Sequence, residues 1–188
     1  MEIRILLANR KRVETALIAR GARAVGAAKL IDYWFCPKRA KNIRQASTDQ
    51  TGFALRIRES KDLYSGRTVS ALECKSPVDG KNHAFCHEHE IDLTNTKEMR
   101  AILSDIGFKE FLMVRKRRLI YYYRGAKFCF DSIQGMGEGL EIEMNARKSQ
   151  RTEAHQKLAE LTRSLGIGPG EIVRKSLTYI AMQKLAKF

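Results

Sequence analysis

In one strand-like segment after another, this chain places charged residues two or four positions apart. Glu2 and Arg4 stand this way, as do Arg56 and Arg58, Glu73 and Lys75, and Glu88 and Glu90. Lys116 and Arg118, Lys127 and Asp131, and Glu141 and Glu143 repeat the pattern. A β-strand sends alternate side chains to opposite faces, so each pair projects to one side together. Ile3, Ile57, Ile91 and Ile142 fall between them and suit an apolar face covered by helices. An ordinary half-buried sheet turns its apolar residues inward and its charges to water. When every strand carries charge on one face and apolar bulk on the other, two sheets or a closed barrel fit as well, with the charges inside. Spacing alone does not separate that arrangement from solvated outer faces knitted by cross-strand ion pairs.

A chain of 188 residues fits one domain able to bury a core without staples. Its 35 Lys and Arg against 21 Asp and Glu leave a net charge of +14, which attracts polyanions. Cys36, Cys74, Cys86 and Cys129 are widely spread and form no C-x-x-C pair. The chain begins Met-Glu-Ile-Arg, with no apolar leader, so the cysteines are expected to be reduced and the protein cytoplasmic. No apolar run approaches the roughly 18 residues that span a bilayer, so no membrane partner is expected.

Periodicity predicts strands at Glu2–Leu7, Ala28–Phe35, Phe53–Glu59, Val69–Lys75 and His83–Asp92, the last entered by a turn at Pro77, Asp79 and Gly80. Lys109–Tyr123 and Lys127–Ile133 form a hairpin turning at Arg124-Gly125, and Leu140–Asn145 is the last strand. Helices are expected at Lys11–Arg20, at Lys97–Ile106 with Met99, Ile102, Leu103 and Ile106 on one face, and over Ala154–Leu165. A second tail helix carries Val173, Leu177, Ile180 and Leu185, and residues 38–52 read as a basic loop.

If the charged faces converge, several cations surround one space. Two like charges about 6 Å apart repel by roughly 3 kcal/mol at an effective dielectric near 20, so anions must occupy or interleave that space. A ligand with several phosphates meets the need, because Arg forks and Lys ammonium groups bind phosphate oxygens by charge-assisted bonds. Carboxylates in the same cavity would repel it unless a hard divalent cation bridges them. Phosphoryl or nucleotidyl chemistry follows from that combination.

Ordered motifs sharpen this reading. Asp32-Tyr33-Trp34-Phe35, Leu55-Arg56-Ile57-Arg58, Lys75-Ser76-Pro77, and Glu88 with Glu90 come first. Ile106-Gly107-Phe108, Val114 to Arg118, Asp131-Ser132-Ile133-Gln134-Gly135-Met136-Gly137 and Glu141-Ile142-Glu143 follow. The series resembles the CYTH superfamily of triphosphate tunnel metalloenzymes, most of all its class IV adenylyl cyclase branch. That resemblance implies an α+β fold: a closed eight-stranded antiparallel barrel forming a tunnel over residues 1–146, with C-terminal helices at 149–187 in one domain. It implies that Arg4, Arg56, Arg58, Lys75, Lys116 and Arg118 grip a triphosphate. It assigns catalysis to Glu2, Glu88, Glu90, Asp131, Glu141 and Glu143, with Glu2, Asp131, Glu141 and Glu143 holding Mg²⁺ or Mn²⁺. Departures are visible. The family's Glu-x-Glu-x-Lys is reduced to Glu2-x-Arg4, and Gly139 stands where an aromatic residue is common.

The expected reaction is cyclisation of ATP to cyclic AMP and pyrophosphate, by attack of the ribose 3′-hydroxyl on the α-phosphorus. A triphosphatase acting on tripolyphosphate, a nucleotide or thiamine triphosphate would use nearly the same residues. A non-catalytic binder of polyphosphate or RNA is the reading from another class, supported by the +14 charge and the shortened first motif. The expected partners are a nucleoside triphosphate or inorganic polyphosphate; nucleic acid is the lesser expectation, and a homodimer agrees with the resemblance. Cys86-His87-Glu88-His89 divides between two strand faces and gives no tetrahedral zinc set. Tyr121-Tyr122-Tyr123 reads as packing before base stacking.

Overall fold

The charge alternation is realised as strands of one sheet. The computed structural model describes residues 2–78, 86–146, 148–186 and 188. Among these, the strands are β1 (Glu2–Leu6), β2 (Arg23–Pro37), β3 (Ala54–Asp62), β4 (Thr68–Pro77), β5 (Cys86–Asp92), β6 (Phe108–Tyr123), β7 (Ala126–Ile133), β8 (Gly137–Glu143) and β9 (Ile172–Val173). They form an antiparallel sheet in the order β5-β4-β3-β2-β6-β7-β8-β1-β9. The helices are α1 (Arg10–Ala19), α2 (Ile43–Ala46), α3 (Thr48–Thr51), α4 (Thr96–Asp105), α5 (Arg151–Ser164) and α6 (Leu177–Leu185). The class is α+β. The eight expected strands are present; β9 is a ninth, and the order has two ends, β5 and β9.

The chain divides into two compact units. Met1–Ala28 with Lys116–Ile180 forms the first, and Lys29–Arg115 with Ala181–Phe188 the second. In the first, Ile5, Phe128, Phe130, Leu140 and Ile142 leave the sheet on one face and are fully buried against Val13 and Leu17 of α1 and Leu158 and Leu161 of α5. Each such side chain contributes about 1.5–3 kcal/mol by leaving water. Asn9 starts α1 by accepting the Arg12 N–H at 3.0 Å. The β6–β7 hairpin turns at Arg124 (φ 48°) and Gly125 (φ 78°), both left-handed, as a type I′ turn requires.

In the second unit, Phe35, Leu55, Ile57 and Leu103 form the core, with Tyr33, Leu72, Cys74, Met99 and Phe108 packed on it. Asn95 caps α4 by accepting the Glu98 N–H at 3.0 Å, and Gly107 (φ 96°) ends it.

Four expectations change. The 38–52 loop contains α2 and α3, single-turn helices too short to show a period; Asn42 caps α2 and left-handed Gly52 ends α3. Strand β2 starts at Arg23, ahead of Ala28, because small residues hide its beginning; a Cβ on Gly26 would lie 3.3 Å from Ile120. Val173 belongs to β9, which pairs with β1 (Arg4↔Val173), so the last helix starts at Leu177. On α4, Leu103 is buried and Met99 packs inward, while Ile102 and Ile106 are exposed, since a ten-residue helix over one patch buries only a narrow stripe. The expected turn residues Asp79 and Gly80, and positions 83–85 of the expected fifth strand, lie outside the described residues.

Candidate functional site

Cross-strand register gathers the charges of the first unit. Arg118 faces Asp131, Lys127 faces Glu143, and Cys129 faces Glu141. Across the next ladder Arg4 faces Glu141 and Glu2 faces Glu143. Directly opposed residues share a sheet face, so Glu2, Arg4, Lys116, Arg118, Lys127, Asp131, Glu141 and Glu143 lie on one surface. The opposite surface is the apolar core just described.

Asp131 is the anchor. Arg118 donates to it through Nε (2.7 Å to Oδ1) and Nη2 (2.6 Å to Oδ2), a bidentate fork, and Lys116 Nζ adds 3.1 Å to Oδ2. Arg118 Nη2 also donates to Glu141 Oε2 at 3.0 Å. Toward the rim, Arg4 forks onto Glu2 at 2.7 and 2.8 Å, and Lys127 reaches Glu143 at 3.2 Å. Burial is graded. Side-chain exposure rises from 1% at Asp131 and 12% at Arg118 to 38% at Glu143 and 44% at Lys127. A solvated outer face has no such gradient, and charges this deep exclude the plain surface reading.

The electrostatics follow from that gradient. Burial opposes the Asp131 charge, but the Arg118 bonds and the Lys116 charge outweigh it and hold the carboxyl below its ordinary value. Burial likewise opposes the Arg118 charge, and Asp131 more than compensates, so the guanidinium keeps its proton more firmly than usual. Glu2 moves the other way. Burial, then the neighbouring Glu141 charge, raises its carboxyl despite Arg4. Cys129 sits among these charges with its thiol pushed up to about 11 by burial, so it is a neutral spacer.

The second unit repeats the theme with other residues. Arg58 forks onto Asp32 through Nε (2.6 Å) and Nη2 (2.9 Å), and Asp32 is 1% exposed. Arg56 bonds Glu73 through Nε at 2.9 Å and through Nη2, and stands 3.6 Å from Asp32. Its guanidinium also lies 5.0 Å from the Trp34 ring centre. Trp34 Nε1 is buried and has no hydrogen-bond partner among the described residues. Lys75 pairs with Glu88 at 2.9 Å on exposed β4–β5 ladder positions, and Glu90, opposite Glu73, is exposed.

Thus Glu2, Arg4, Lys116, Arg118, Asp131, Glu141 and Glu143 gather in one unit, Arg56, Arg58 and Lys75 in the other, and Glu88 and Glu90 lie on an exposed strand. Sequence reading gave no role to Asp32 or Cys129 and read Glu73 only as a face partner. The legible signal for Asp32 was a lone acid inside an apolar, aromatic strand, a residue that needs a cationic partner to be buried. Gly139 also acquires a reason. It faces Asp131, and a Cβ there would stand 2.5 Å from Leu177 Cδ1, so its bareness lets α6 close over this part of the charged face.

The CYTH domain model matches residues 1–177, both charged clusters included. The chain belongs to the CYTH domain family. Two proteins similar to this CYTH chain bear the name "putative adenylate cyclase" or "putative adenylyl cyclase". One, from Methanocaldococcus jannaschii, is 28% identical over 128 residues, 68% of this chain and 70% of its own length. The other, from Hippeastrum, has a solved structure described as revealing a dominant triphosphatase activity, with a TM-score of 0.60 and 16% identity over 97% of this chain and 94% of its own. A solved Pyrococcus horikoshii protein superposes with a TM-score of 0.78 at 23% identity over 97% of both chains. At these identities the solved structures establish the shared fold. Among the described residues no helix is long and apolar enough to cross a membrane.

Proposed function

We propose that this CYTH protein is a metal-dependent adenylate cyclase that converts ATP to cyclic AMP and pyrophosphate. The observation that carries the reading is the ionic strip of graded burial anchored at Asp131, where Arg118 and Lys116 are held ready and largely out of water. We further infer that the sheet works as a closed, eight-stranded barrel around this face and that residues 1–188 act as one domain.

Each cation of the strip now rests on a carboxylate. An entering triphosphate competes for the same N–H groups with more oxygens and more charge. Arg4 and Arg118 can then turn from Glu2 and Glu141 toward phosphate, while Asp131, fully engaged, keeps Arg118 and Lys116 aimed. In this reading Asp131 is a positioning residue instead of one of the metal ligands. In the second unit, Arg56 and Arg58, oriented by Glu73 and Asp32, are the residues assigned to phosphate. Charge that develops on the departing pyrophosphate is met by these preorganised donors.

The freed carboxylates fit a hard divalent cation. Glu2, Glu141 and Glu143 offer oxygen donors, and the raised carboxyl of Glu2 reflects, after burial, the repulsion from Glu141 and Glu143 that such an ion relieves. Mg²⁺ or Mn²⁺ bound there supplies Lewis acidity and charge neutralisation at phosphate oxygens. Among the described residues no group of three such donors is gathered closely enough to hold an ion.

The second reading is a triphosphatase on the same residues, favoured by the triphosphatase activity described for the Hippeastrum protein. Product analysis separates the two. The purified protein is incubated with Mg²⁺ or Mn²⁺ and either ATP or tripolyphosphate. Cyclic AMP with pyrophosphate supports the cyclase, orthophosphate supports the triphosphatase, and binding without turnover contradicts both.

A further inference from the structure

The second unit has a cleft of about 420 Å³ on the apolar side of its sheet, away from Arg56 and Arg58. Its position follows from strand parity: Phe35, on the floor, alternates with Asp32 and Trp34 and belongs to the core cluster of Leu55 and Ile57. Phe108, half-buried at the start of β6, continues the floor. The rim is basic. Lys97 and Arg100 stand on one stripe of α4 with Ala101 and Ser104, at helical spacing, while Lys38 directly follows β2 and Lys109 is the second residue of β6. Lys38 N–H donates to Gly107 O at 2.8 Å, which ties its backbone to the α4–β6 turn.

The charge is unbalanced in a specific way. Glu110 is the only carboxylate among the lining residues, and Arg100 holds it at 2.6 Å with its guanidinium 4.6 Å from the Tyr33 ring. Lys38 and Lys97 are exposed. Lys109 alternates with Phe108 along β6 and its Nζ lies 5.5 Å from the Phe188 ring, so its ammonium group turns away from the floor. Two ammonium groups therefore border the cleft without a lining carboxylate left to answer them. The volume suits a small molecule and not the footprint of a macromolecule.

We propose that this cleft is a second anion site that takes a nucleotide, its base against the Phe35 and Phe108 floor and its phosphate on Lys38 and Lys97. The site is independent of the reaction assigned to the charged strip. It uses none of that strip's residues.

Titration with AMP, followed by amide chemical shifts of the full chain, tests it. In the wild type, resonances of residues 35–38 and 97–109 should move saturably. In the Lys38→Glu/Lys97→Glu variant, and more mildly in Lys38→Gln/Lys97→Gln, affinity read from those resonances should fall by about tenfold or more, the scale of one charge-assisted hydrogen bond. The dispersed spectrum of either variant reports that it is folded. Inorganic tripolyphosphate should move the Lys rim but leave the Phe35 and Phe108 ring signals in place. The proposal is overturned if AMP leaves residues 35–38 and 97–109 unmoved, if charge reversal does not weaken the response, or if tripolyphosphate reproduces the ring shifts. Shifts near Arg58 and Arg118 report separately on the charged strip.

Discussion

Both units solve the same problem, a nearly buried aspartate, with the same device, a bidentate arginine. Arg118 grips Asp131 in one and Arg58 grips Asp32 in the other, each aspartate 1% exposed. They differ in what surrounds the fork. Beside Arg118 stand Glu141, Glu2 and Glu143, carboxylates on single cations and, in that order, increasingly open to water. Beside Arg58 stands Glu73, tied to Arg56 by two bonds and near Arg58 as well. One cluster leaves carboxylates on single cations; the other commits them to holding its arginines. Under the proposed function that difference is a division of labour, with metal handling assigned to the first unit and phosphate grip to both.

The largest expected effect breaks the shared device. Arg118→Ala or Arg58→Ala leaves a buried carboxylate short of its main partner, a loss on the order of 3–5 kcal/mol in denaturant unfolding. Each should also abolish measurable tripolyphosphate binding. Equal stability of either variant and wild type would remove the comparison's basis.

Next comes the test of the division itself. Glu141→Ala should keep tripolyphosphate binding but lower metal-dependent turnover by roughly 10²-fold or more, the scale of one preorganised electrostatic contact. Glu73→Ala, its counterpart, should leave the metal dependence unchanged. Metal titrations of activity in both variants decide it, and equal losses would merge the two roles.

A pH dependence sharpens the contrast. Asp131 has a depressed carboxyl, so its contribution to stability is complete above the ordinary value of 3.8 and is lost as pH falls through its lower folded value. Glu2 is raised, so the folded protein favours its protonated form and metal affinity should climb as pH rises through that raised value. Carboxyl NMR titration of Glu141→Gln should return Glu2 toward its ordinary value, because one repelling charge is gone. No movement of Glu2 would show that burial alone raises it.

The smallest effect belongs to the rim. Lys127→Ala breaks a pair whose members are 44% and 38% exposed, and unfolding free energy should change by less than about 1 kcal/mol.

Much of this was legible from period-2 spacing, because parity is a covalent property of strands. Glu2 with Arg4, Lys116 with Arg118 and Glu141 with Glu143 share their faces as the alternation requires. The partners of two positioning residues were not legible. Asp32 and Glu73 matter only through partners far along the chain, Arg58 and Arg56, and no local period reports a contact 26 residues away. Strand β9 and helices α2 and α3 escaped for a related reason. Two or four residues carry no periodic signal, and their structure comes from what they pair with or from caps such as Asn42.

The central claim is that Arg118 and Arg58, kept aimed by their buried aspartates, engage phosphate, with Arg118 exchanging its bond to Glu141 for it. Titration with tripolyphosphate, followed by the guanidinium Nε–H resonances of Arg58 and Arg118, measures that exchange at the atoms concerned. The account predicts saturable shifts of both, with a matching response at Glu141 as its bond to Arg118 is given up. Guanidinium signals that stay fixed while tripolyphosphate binds elsewhere would contradict it.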